Sequence, residues 1–327
     1  MRAVAREPVA ELLPTSSAIE SYGPLITRAL KLHRSGGLPK GSSTGWAPVD
    51  KHYTVGLGQW TVVTGVPGSG KSEWLDALLV NLAEKDGWVF AIYSPENYPT
   101  EAHLIKLCEK RARKPFGEGP NERMTEKEFG AAAIWVCERF MWMNPTDCTP
   151  ESLIELGAAH KSAGQKFGVV LDPWNTLDHE RGGASETDYI SRVLTKVTHY
   201  ARNYGMHIWL VAHPQKITKN RDGERSIPTP YDISGSAHWY NKADCIITVN
   251  RDQANPTQLV EIHVQKVRFK NIGSVGLAEL RYDRINGRYF ESDAFAGTDE
   301  WFADPERGHQ PPAAVPIRER QPGEDYE

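Results

Sequence analysis

The sequence predicts an α/β domain in which a mostly parallel sheet is extended at its C-terminal end by antiparallel strands. Between Trp60 and Ala212, short β-branched segments alternate with segments that are apolar at helical spacing. This alternation is typical of parallel strands joined by crossover helices. From Asp244 onward strand-like segments follow one another directly, which indicates hairpins. A short helix on a Gly- and Ser-rich tether precedes the domain.

The composition is that of one large α/β domain with appendages, or at most two domains, because the chain has 327 residues of which 39% are hydrophobic. A formal net charge of −4 excludes a basic field over the whole protein, although a local basic surface remains open. The cysteines form no C-x-x-C pair, which favours reduced thiols over a zinc site or disulfides. No apolar run has the length of a membrane span and no signal peptide is present, so we expect a soluble cytoplasmic protein without a membrane partner.

The chain before the α/β domain is predicted to be a mobile N-terminus, residues 1–16, followed by a linker, residues 17–44. Within the linker, residues 24–33 place apolar side chains on one helical face, and residues 34–44 form the tether. So short an amphipathic helix cannot bury its face alone. It therefore packs either on its own core or on a neighbouring molecule.

The first strand and helix of the domain enclose a G-x-x-x-x-G-K-[ST] segment, Gly65–Ser72. Trp60–Thr64 reads as a buried strand, and Glu73–Glu84 reads as a helix that stops at Gly87. In such a phosphate loop, backbone amides and the helix N-terminus face the phosphates of a nucleoside triphosphate. Lys71 would reach the β- and γ-phosphates, and the Ser72 hydroxyl would bind Mg²⁺.

The alternative is a chance glycine-rich turn, but the flanking strand and helix favour a site for ATP or another nucleoside triphosphate with Mg²⁺. The predicted nucleotide contacts of the loop are Gly65, Val66, Pro67, Gly68, Ser69, Gly70, Lys71 and Ser72.

The second strand, Trp88–Tyr93, is followed by Glu96. In open α/β sheets ligands lie at the carboxyl ends of the strands, so Glu96 would face the γ-phosphate and act as general base for the attacking water. The alternative is a solvated loop glutamate. Helices at 103–114 and 126–140, a brief strand at 141–143, and a helix from the N-cap Thr149 to about residue 161 follow.

The third core strand ends at Asp172. A carboxylate in that place, beside the strand that bears the phosphate loop, is suited to hold Mg²⁺ through water; the alternative is an ordinary turn residue before Pro173. A long helix, Glu186–Tyr204, then ends at Gly205, and a fourth strand covers residues 207–212.

The fourth strand is followed by His213 and Gln215, which would touch the γ-phosphate and pass its presence to the next loop. That loop, residues 216–238, is long for a connection in a compact domain. Its basic, hydroxyl and backbone donors would suit a phosphodiester chain, unless it is a plain solvated loop. The residues that we expect to contact such a phosphodiester chain are Lys216, Lys219, Arg221, Gly235 and Ser236.

The last strands are expected at 244–250, 259–267, 276–283 and 288–291. Lys266 and Arg268 share one strand face, because strands have a period of two. They would serve either as an arginine finger in a neighbouring subunit's site or as charges that protect an exposed edge strand. Residues 293–327 are rich in proline and charge, and we expect a disordered tail.

Taken together, these residues resemble the RecA-type motor domain of hexameric replicative helicases. The resemblance is carried by Gly65–Ser72, Glu96, Asp172, His213-Pro-Gln215, Gly235-Ser236 and Lys266-x-Arg268-Phe. It is nearest to the helicase part of phage primase-helicases and to mitochondrial Twinkle, with DnaB-like helicases more distant. The resemblance implies a RecA-like P-loop core, which we place at residues 45–292.

The resemblance also implies a ring, usually a hexamer, with ATP sites between protomers. Lys71, Ser72, Glu96 and Asp172 would serve their own subunit's nucleotide, whereas Lys266 and Arg268 would reach the neighbour's. His213 and Gln215 occupy sensor positions, Arg251 and Tyr282 match positions that sandwich the base, and Lys216, Gly235 and Ser236 match the loop that contacts single-stranded DNA. The helix at 24–33 would dock on the adjacent subunit.

The function implied is an ATP-dependent, ring-forming DNA helicase of the replisome that translocates on single-stranded DNA and unwinds a fork. The alternatives are a RecA- or KaiC-type DNA-dependent ATPase that forms filaments or remodels a partner without unwinding, and a nucleotide-gated scaffold or loader. Glu96 and the Lys266–Arg268 pair argue against an inactive protein. Relatives often carry a primase domain ahead of the linker, and priming is not predicted here.

Primase and polymerase are the expected protein partners, and the chain is a stand-alone helicase, a fragment, or a protein whose primase is encoded separately. The acidic, aromatic C-terminus either docks a polymerase or another replication partner or is an inert solubilising tail. The expected compartment is the cytoplasm of a bacterium or phage-infected host rather than the mitochondrial matrix.

Overall fold

A computed structural model describes residues 21–180, 182–215, 226–233, 236–251 and 259–292. The predicted mobile N-terminus and disordered tail lie outside these residues. The chain divides into two compact units, Met1–Lys40 and Gly41–Glu327. In the first unit, helix α1 spans Tyr22–Arg34 and buries none of its side chains. Its apolar residues Leu25, Ile26 and Leu30 are 48%, 53% and 48% exposed.

The second unit alternates helices and strands, as the sequence predicts. Its elements are α2 (Ala47–Asp50), β1 (Trp60–Thr64), α3 (Lys71–Asp86), β2 (Val89–Tyr93), α4 (Thr100–Ala112), α5 (Glu126–Cys137), β3 (Phe140–Trp142), α6 (Pro150–Ala159), β4 (Phe167–Leu171), α7 (Glu186–Tyr204), β5 (His207–Val211), α8 (Ser236–Lys242), β6 (Cys245–Asn250), β7 (Leu259–Val267), β8 (Gly276–Tyr282) and β9 (Tyr289–Glu291).

In the described part of the chain these strands form one sheet in the order β3-β2-β4-β5-β1-β6-β7-β8-β9. The five neighbouring pairs from β3 to β6 in this order are parallel: β3–β2, β2–β4, β4–β5, β5–β1 and β1–β6. The pairs β6–β7, β7–β8 and β8–β9 are antiparallel. The predicted fold class is thereby confirmed. Strand β6 still runs parallel to β1, with Thr61 opposite Cys245, so the antiparallel extension begins one strand later than residue 244 suggests.

The core lies on both faces of the central strands. Because side chains alternate across a strand, Val63 on β1 joins one buried cluster with α3 and α4, whereas Val62 joins a second cluster with α6 and α7. Strands β1, β4 and β5 are buried along their whole length. This two-sided burial explains why they read as continuous apolar runs.

Most helix ends follow the predicted signals. Gly87 and Gly205 adopt left-handed backbone conformations and end α3 and α7. Thr149 caps α6 by accepting a hydrogen bond from the Ser152 amide. Helix α4 begins at Thr100 rather than at 103, one turn earlier than its apolar pattern indicates. Among the described helices, none combines the length and the apolarity that a bilayer crossing requires.

Candidate nucleotide site at the carboxyl edge of the sheet

The carboxyl ends of four parallel strands meet at one edge of the sheet. Strand β1 leads into the phosphate loop, β2 into the turn that holds Glu96, β4 into Asp172 and β5 into His213. The electrostatic environment shows that these residues are brought together. The carboxylates of Asp172 and Glu96 act to raise the pKa of Lys71. The Lys71 ammonium acts to lower the pKa of His213, and the Glu96 carboxylate acts to raise it.

The phosphate loop has the backbone that its glycines permit. Gly65, Gly68 and Gly70 have φ angles of 149°, 77° and 89°, a region that favours glycine. A Cβ atom on Gly65 would lie 2.3 Å from the Val249 carbonyl oxygen, so the loop packs directly on β6. Backbone this close to its neighbour leaves no room for a side chain at Gly65.

Lys71 lies folded over this loop. Its Nζ atom donates hydrogen bonds to the carbonyl oxygens of Gly65 at 3.0 Å and Val66 at 3.1 Å. Burial lowers the pKa of the Lys71 ammonium, against the opposing effect of Asp172 and Glu96. Within the described residues the Ser69 hydroxyl is buried without a hydrogen-bond partner. A buried unsatisfied hydroxyl beside a buried ammonium is a fit for an anion such as a phosphate.

Ser72 and Asp172 provide the oxygen ligands that suit Mg²⁺. The Ser72 hydroxyl lies near the Asp172 carboxylate and acts to lower its pKa. Burial raises the pKa of Asp172 to about 6, and Asp76 and Glu96 add to this effect. In the described residues no group of three or more His, Cys, Asp or Glu side chains forms a metal cage. The pair therefore fits a cation that takes its remaining ligands from water and substrate phosphates, which is the usual behaviour of Mg²⁺.

The two predicted sensor residues have different environments. His213 is half-buried, and its Nδ1 atom is buried without a hydrogen-bond partner among the described residues. Burial and the Lys71 charge lower the pKa of His213. Gln215 is exposed, and its backbone amide donates to the Asp232 carbonyl at 2.8 Å. His213 therefore lies near Lys71, whereas Gln215 is linked through its backbone to the segment 226–233.

The predicted base-binding residues lie near a tyrosine that the sequence did not single out. The Glu73 carboxylate acts to raise, and the Arg251 guanidinium to lower, the pKa of both Tyr282 and Tyr289. The centres of the two tyrosine rings lie 5.0 Å apart. The Tyr289 hydroxyl would be 3.4 Å from a Cβ atom on Gly70. Strand β9 therefore reaches the phosphate loop itself. No local sequence signal indicates this contact, because it depends on how β9 pairs with β8.

Lys266 and Arg268 lie away from this edge. Val267 on β7 is opposite Cys245, the first residue of β6, and β6 runs parallel to β1. The end of β7 therefore lies at the amino edge of the sheet, one strand length or roughly 15 Å from the carboxyl edge. Within one protomer, Lys266 and Arg268 therefore do not lie beside Lys71, Glu96 and Asp172.

Both cations instead contact the end of α8 and the residues after it. The Lys266 Nζ atom donates to the Tyr240 carbonyl and lies 5.0 Å from the centre of the Tyr240 ring. Burial and the neighbouring Arg268 lower the pKa of Lys266 to about 8. The Arg268 guanidinium donates to the carbonyls of Asn241, Lys242 and Ala243, and its Nε atom lies 3.3 Å from an Asp244 carboxylate oxygen.

Most of the predicted DNA contacts lie outside the described residues: Lys216, Lys219, Arg221 and Gly235. Ser236 is described only as the first residue of α8. The structure also shows a partly buried polar cluster between α3 and α4 that sequence reasoning missed, made of Glu73, Asp76, His103, Lys106 and Lys110. The sequence predicts only a helix at 103–114, because the pairing of its lysines with Glu73 depends on how α4 packs on α3.

The chain is similar to known proteins in sequence and in fold. No family model matches the chain. The chain is 41% identical over 281 residues to the Twinkle homolog protein, chloroplastic/mitochondrial, of Arabidopsis thaliana. That match covers 82% of this chain and 39% of the plant protein, so the chain spans about two-fifths of the relative's length.

Solved structures share the fold at low sequence identity. One solved ATPase domain matches with a TM-score of 0.65 at 18% identity, covering 82% of this chain and 97% of that one. A DnaB-like replicative helicase, described with its interactions with primase, matches with a TM-score of 0.68 at 18% identity, covering 86% and 70%. The RadB recombinase matches with a TM-score of 0.50 at 16% identity, covering 76% and 98%. The fold is therefore RecA-like, and most of the chain is related in sequence to part of a Twinkle homolog.

Proposed function

We propose that this chain is the motor of a ring-forming DNA helicase, which hydrolyses ATP at subunit interfaces to translocate on single-stranded DNA and unwind a fork. One observation carries the proposal. The hydrolytic residues Lys71, Asp172 and Glu96 converge at the carboxyl edge of the sheet, while Lys266 and Arg268 lie at the amino edge. We infer that the two groups of residues form one site only where two copies of the chain meet.

Hydrolysis would use this chain's own residues for binding and proton transfer. On ATP binding, Lys71 exchanges the carbonyls of Gly65 and Val66 for oxygens of the β- and γ-phosphates, with the loop amides around them. Ser72 and Asp172 would hold Mg²⁺, which would neutralise phosphate charge when bound. Glu96 accepts a proton from the water that attacks the γ-phosphorus; the bond to the β–γ bridging oxygen breaks, and ADP and phosphate leave.

His213 is suited to report whether the γ-phosphate is present. Burial and the Lys71 charge lower the pKa of the His213 ring, which favours the neutral imidazole, and its buried Nδ1 atom has no hydrogen-bond partner in the described residues. A hydrogen bond to a phosphate oxygen would move His213. Two residues later the backbone of Gln215 is bonded to Asp232, so the movement passes to the segment before Ser236, where we propose the DNA contacts.

Assembly into a ring would bring Lys266 and Arg268 to the neighbour's phosphates through a head-to-tail interface. The exposed apolar face of α1 would dock on an adjacent subunit, which gives the linker of residues 17–44 its role. Arg251 and Tyr282 would hold the nucleotide base. Lys216, Lys219, Arg221, Gly235 and Ser236 would contact phosphates of the DNA, so binding is expected to be salt-sensitive and largely independent of base sequence.

Primase and polymerase partners remain part of the proposal. One solved neighbour is described with its interactions with primase, and for this chain we propose that a polymerase docks on the acidic C-terminus. The cysteines in the structure are free thiols, in accord with a reducing compartment. We propose the cytoplasm of a bacterium or phage-infected host. An organelle, as in the name of the plant relative, is the alternative.

A strand-displacement assay on a forked duplex tests the proposal. The wild type should unwind the fork with ATP and Mg²⁺, and Glu96→Gln should bind ATP but lose about 10²- to 10⁴-fold in hydrolysis. Glu101→Gln, which changes an exposed carboxylate on the first turn of α4, serves as the matched control. DNA-stimulated hydrolysis without unwinding would contradict the helicase proposal. Electron microscopy with ATP would then distinguish filaments from rings and from a scaffold.

A further inference from the structure

The helix that begins with Lys71 and Ser72 is fastened to α4 by a charged cluster. One Glu73 carboxylate oxygen lies 2.6 Å from the Lys106 ammonium, and the other lies 2.6 Å from the Lys110 ammonium. The two lysines are one helical turn apart, so both reach the same acid. Although burial opposes ionisation, the two ammonium groups hold the pKa of Glu73 below its ordinary value.

The two lysines differ in what else they can reach. Lys110 is buried, with 1% of its side chain exposed, and it lies under the turn at Gly287. Lys106 is 32% exposed, and its Nζ atom also donates to the Asn97 side-chain oxygen at 3.1 Å. Asn97 is the residue after Glu96. Lys106 therefore joins the phosphate-loop helix to the turn that carries the proposed general base.

That turn is otherwise held by its own short-range hydrogen bonds. The Asn97 side-chain amide donates to the Ser94 hydroxyl at 2.9 Å, and its backbone amide donates to the Ser94 carbonyl at 3.1 Å. Glu96 itself is exposed. Among the described residues these bonds close the turn on itself, whereas the bond from Lys106 ties it to Glu73 at the start of α3.

A second pairing fixes the same two helices. The Trp142 indole donates to His103 Nδ1 at 3.1 Å, so the other ring nitrogen, Nε2, carries the proton that it donates to Asp76 at 3.1 Å. Asp76 follows Ser72 by one turn, and His103 precedes Lys106 by one turn. With α3 and α4 held in this way, Lys106 is presented to Asn97 from a fixed support.

We propose that Lys106 is a positioning residue for Glu96, because its ammonium holds the Ser94–Asn97 turn at a set distance from the phosphate loop. The consequence for catalysis depends on the proposed ATP hydrolysis, whereas the positioning itself does not. A general base displaced by about 1 Å from its water loses roughly 10²-fold in rate, so the link should act on kcat and leave nucleotide binding nearly unchanged.

Steady-state ATP hydrolysis by four variants and one control variant tests the catalytic consequence. Lys106→Met and Asn97→Ala should each lower kcat by about 10- to 100-fold while KM changes by less than about threefold. The double variant should be no slower than the slower single one, because both break the same link. Lys106→Arg should restore most of the rate, since a guanidinium can bond Glu73 and Asn97 together. Arg111→Met removes an α4-to-α3 ion pair with Glu84 away from the turn and should behave as wild type.

Amide hydrogen exchange of the nucleotide-free protein tests the positioning directly. The Asn97 amide should exchange about tenfold faster or more in Lys106→Met than in wild type or Arg111→Met. Equal exchange would overturn the inference, whether or not the protein hydrolyses ATP. Absent hydrolysis by the wild type would instead overturn the proposed function. If Lys106→Met does not fold, Asn97→Ala breaks the same bond without touching the Glu73 pair, and an unchanged kcat in that variant also overturns the inference.

Discussion

The Arg268 guanidinium donates a hydrogen bond to the backbone carbonyl of Asn241 at 2.7 Å, near the C-terminal end of α8. It also bonds the carbonyls of Lys242 and Ala243. A helix C-terminus carries partial negative charge and free carbonyls, so Arg268 caps α8. To serve a neighbour's nucleotide it must exchange these carbonyls for phosphate oxygens. Because α8 begins at Ser236, a proposed DNA contact, the exchange would link the interface to the DNA.

A mixing experiment distinguishes the proposed trans role of Arg268 from a role within its own subunit. Arg268→Ala and Lys71→Ala should each abolish ATP hydrolysis, since one loses the finger and the other the phosphate contact. In mixed rings, a site between an intact Lys71 and an intact Arg268 forms at about a quarter of the interfaces. Hydrolysis by the mixture should therefore recover part of the wild-type rate.

As a control, each single variant is mixed with an inactive chain that carries both Lys71→Ala and Arg268→Ala. This chain supplies neither an intact Lys71 nor an intact Arg268, so these mixtures should stay inactive. ATP binding by Arg268→Ala alone, measured with a fluorescent analogue, should stay close to wild type. A mixture that remains as inactive as its parents would place Arg268 outside the neighbour's site.

Gly65 should not tolerate even a methyl group. A Cβ atom would meet the Val249 carbonyl oxygen at 2.3 Å, and the φ angle of 149° is unfavourable for other residues. We expect Gly65→Ala to lower the free energy of unfolding by about 2 kcal/mol or more and to weaken ATP binding, because the loop would move off β6. Thermal unfolding and titration with a fluorescent ATP analogue measure the two effects.

The matched control is Gly130→Ala in α5, where a Cβ atom meets nothing within 4 Å. Alanine there should add about 0.5–1 kcal/mol of stability, since it restricts the unfolded chain and favours the helix. Equal behaviour of the two variants would show that the contact between Gly65 and β6 does not constrain the loop.

His207 should make stability depend on pH. It is fully buried, its Nδ1 atom donates to the Gly56 carbonyl at 2.7 Å, and its Nε2 atom lies 2.9 Å from the Thr61 hydroxyl. Burial lowers the pKa of His207 from 6.5 to about 4. Between these values the unfolded chain binds the proton and the folded protein does not, so this contribution is complete above pH 6.5 and is lost as pH falls toward 4. It amounts to about 3 kcal/mol.

Urea unfolding between about pH 4.5 and 7 measures this dependence. His207→Gln should flatten the slope, because the glutamine does not titrate, whereas the exposed His199→Gln should leave it as in wild type. A slope that survives in His207→Gln would assign the pH dependence to other groups.

The comparison of prediction with structure separates local signals from tertiary ones. The phosphate loop is a local pattern, and the position of Asp172 follows from the rule that a parallel strand delivers its last residue to one edge. Tyr289 could not be predicted, because its approach to Gly70 depends on three antiparallel pairings. Lys106 was missed for the same reason: a lysine on an amphipathic helix reads as solvent-facing until the partner helix is known. The parallel pairing of β6 with β1 likewise depends on sheet order.

The exposed face of α1 gives a prediction about assembly. Leu30 is 48% exposed, so Leu30→Asp should change the free energy of unfolding of a single chain by only about 0.5 kcal/mol. If α1 docks on a neighbouring subunit, the same substitution buries a charge at the interface and should prevent ring formation, measured by sedimentation with ATP and Mg²⁺. Lys31→Asp, on a different face of the helix, introduces a charge that stays in water and should leave rings intact. Rings of Leu30→Asp with wild-type stability would exclude α1 from the interface, and the linker would then act only as a tether.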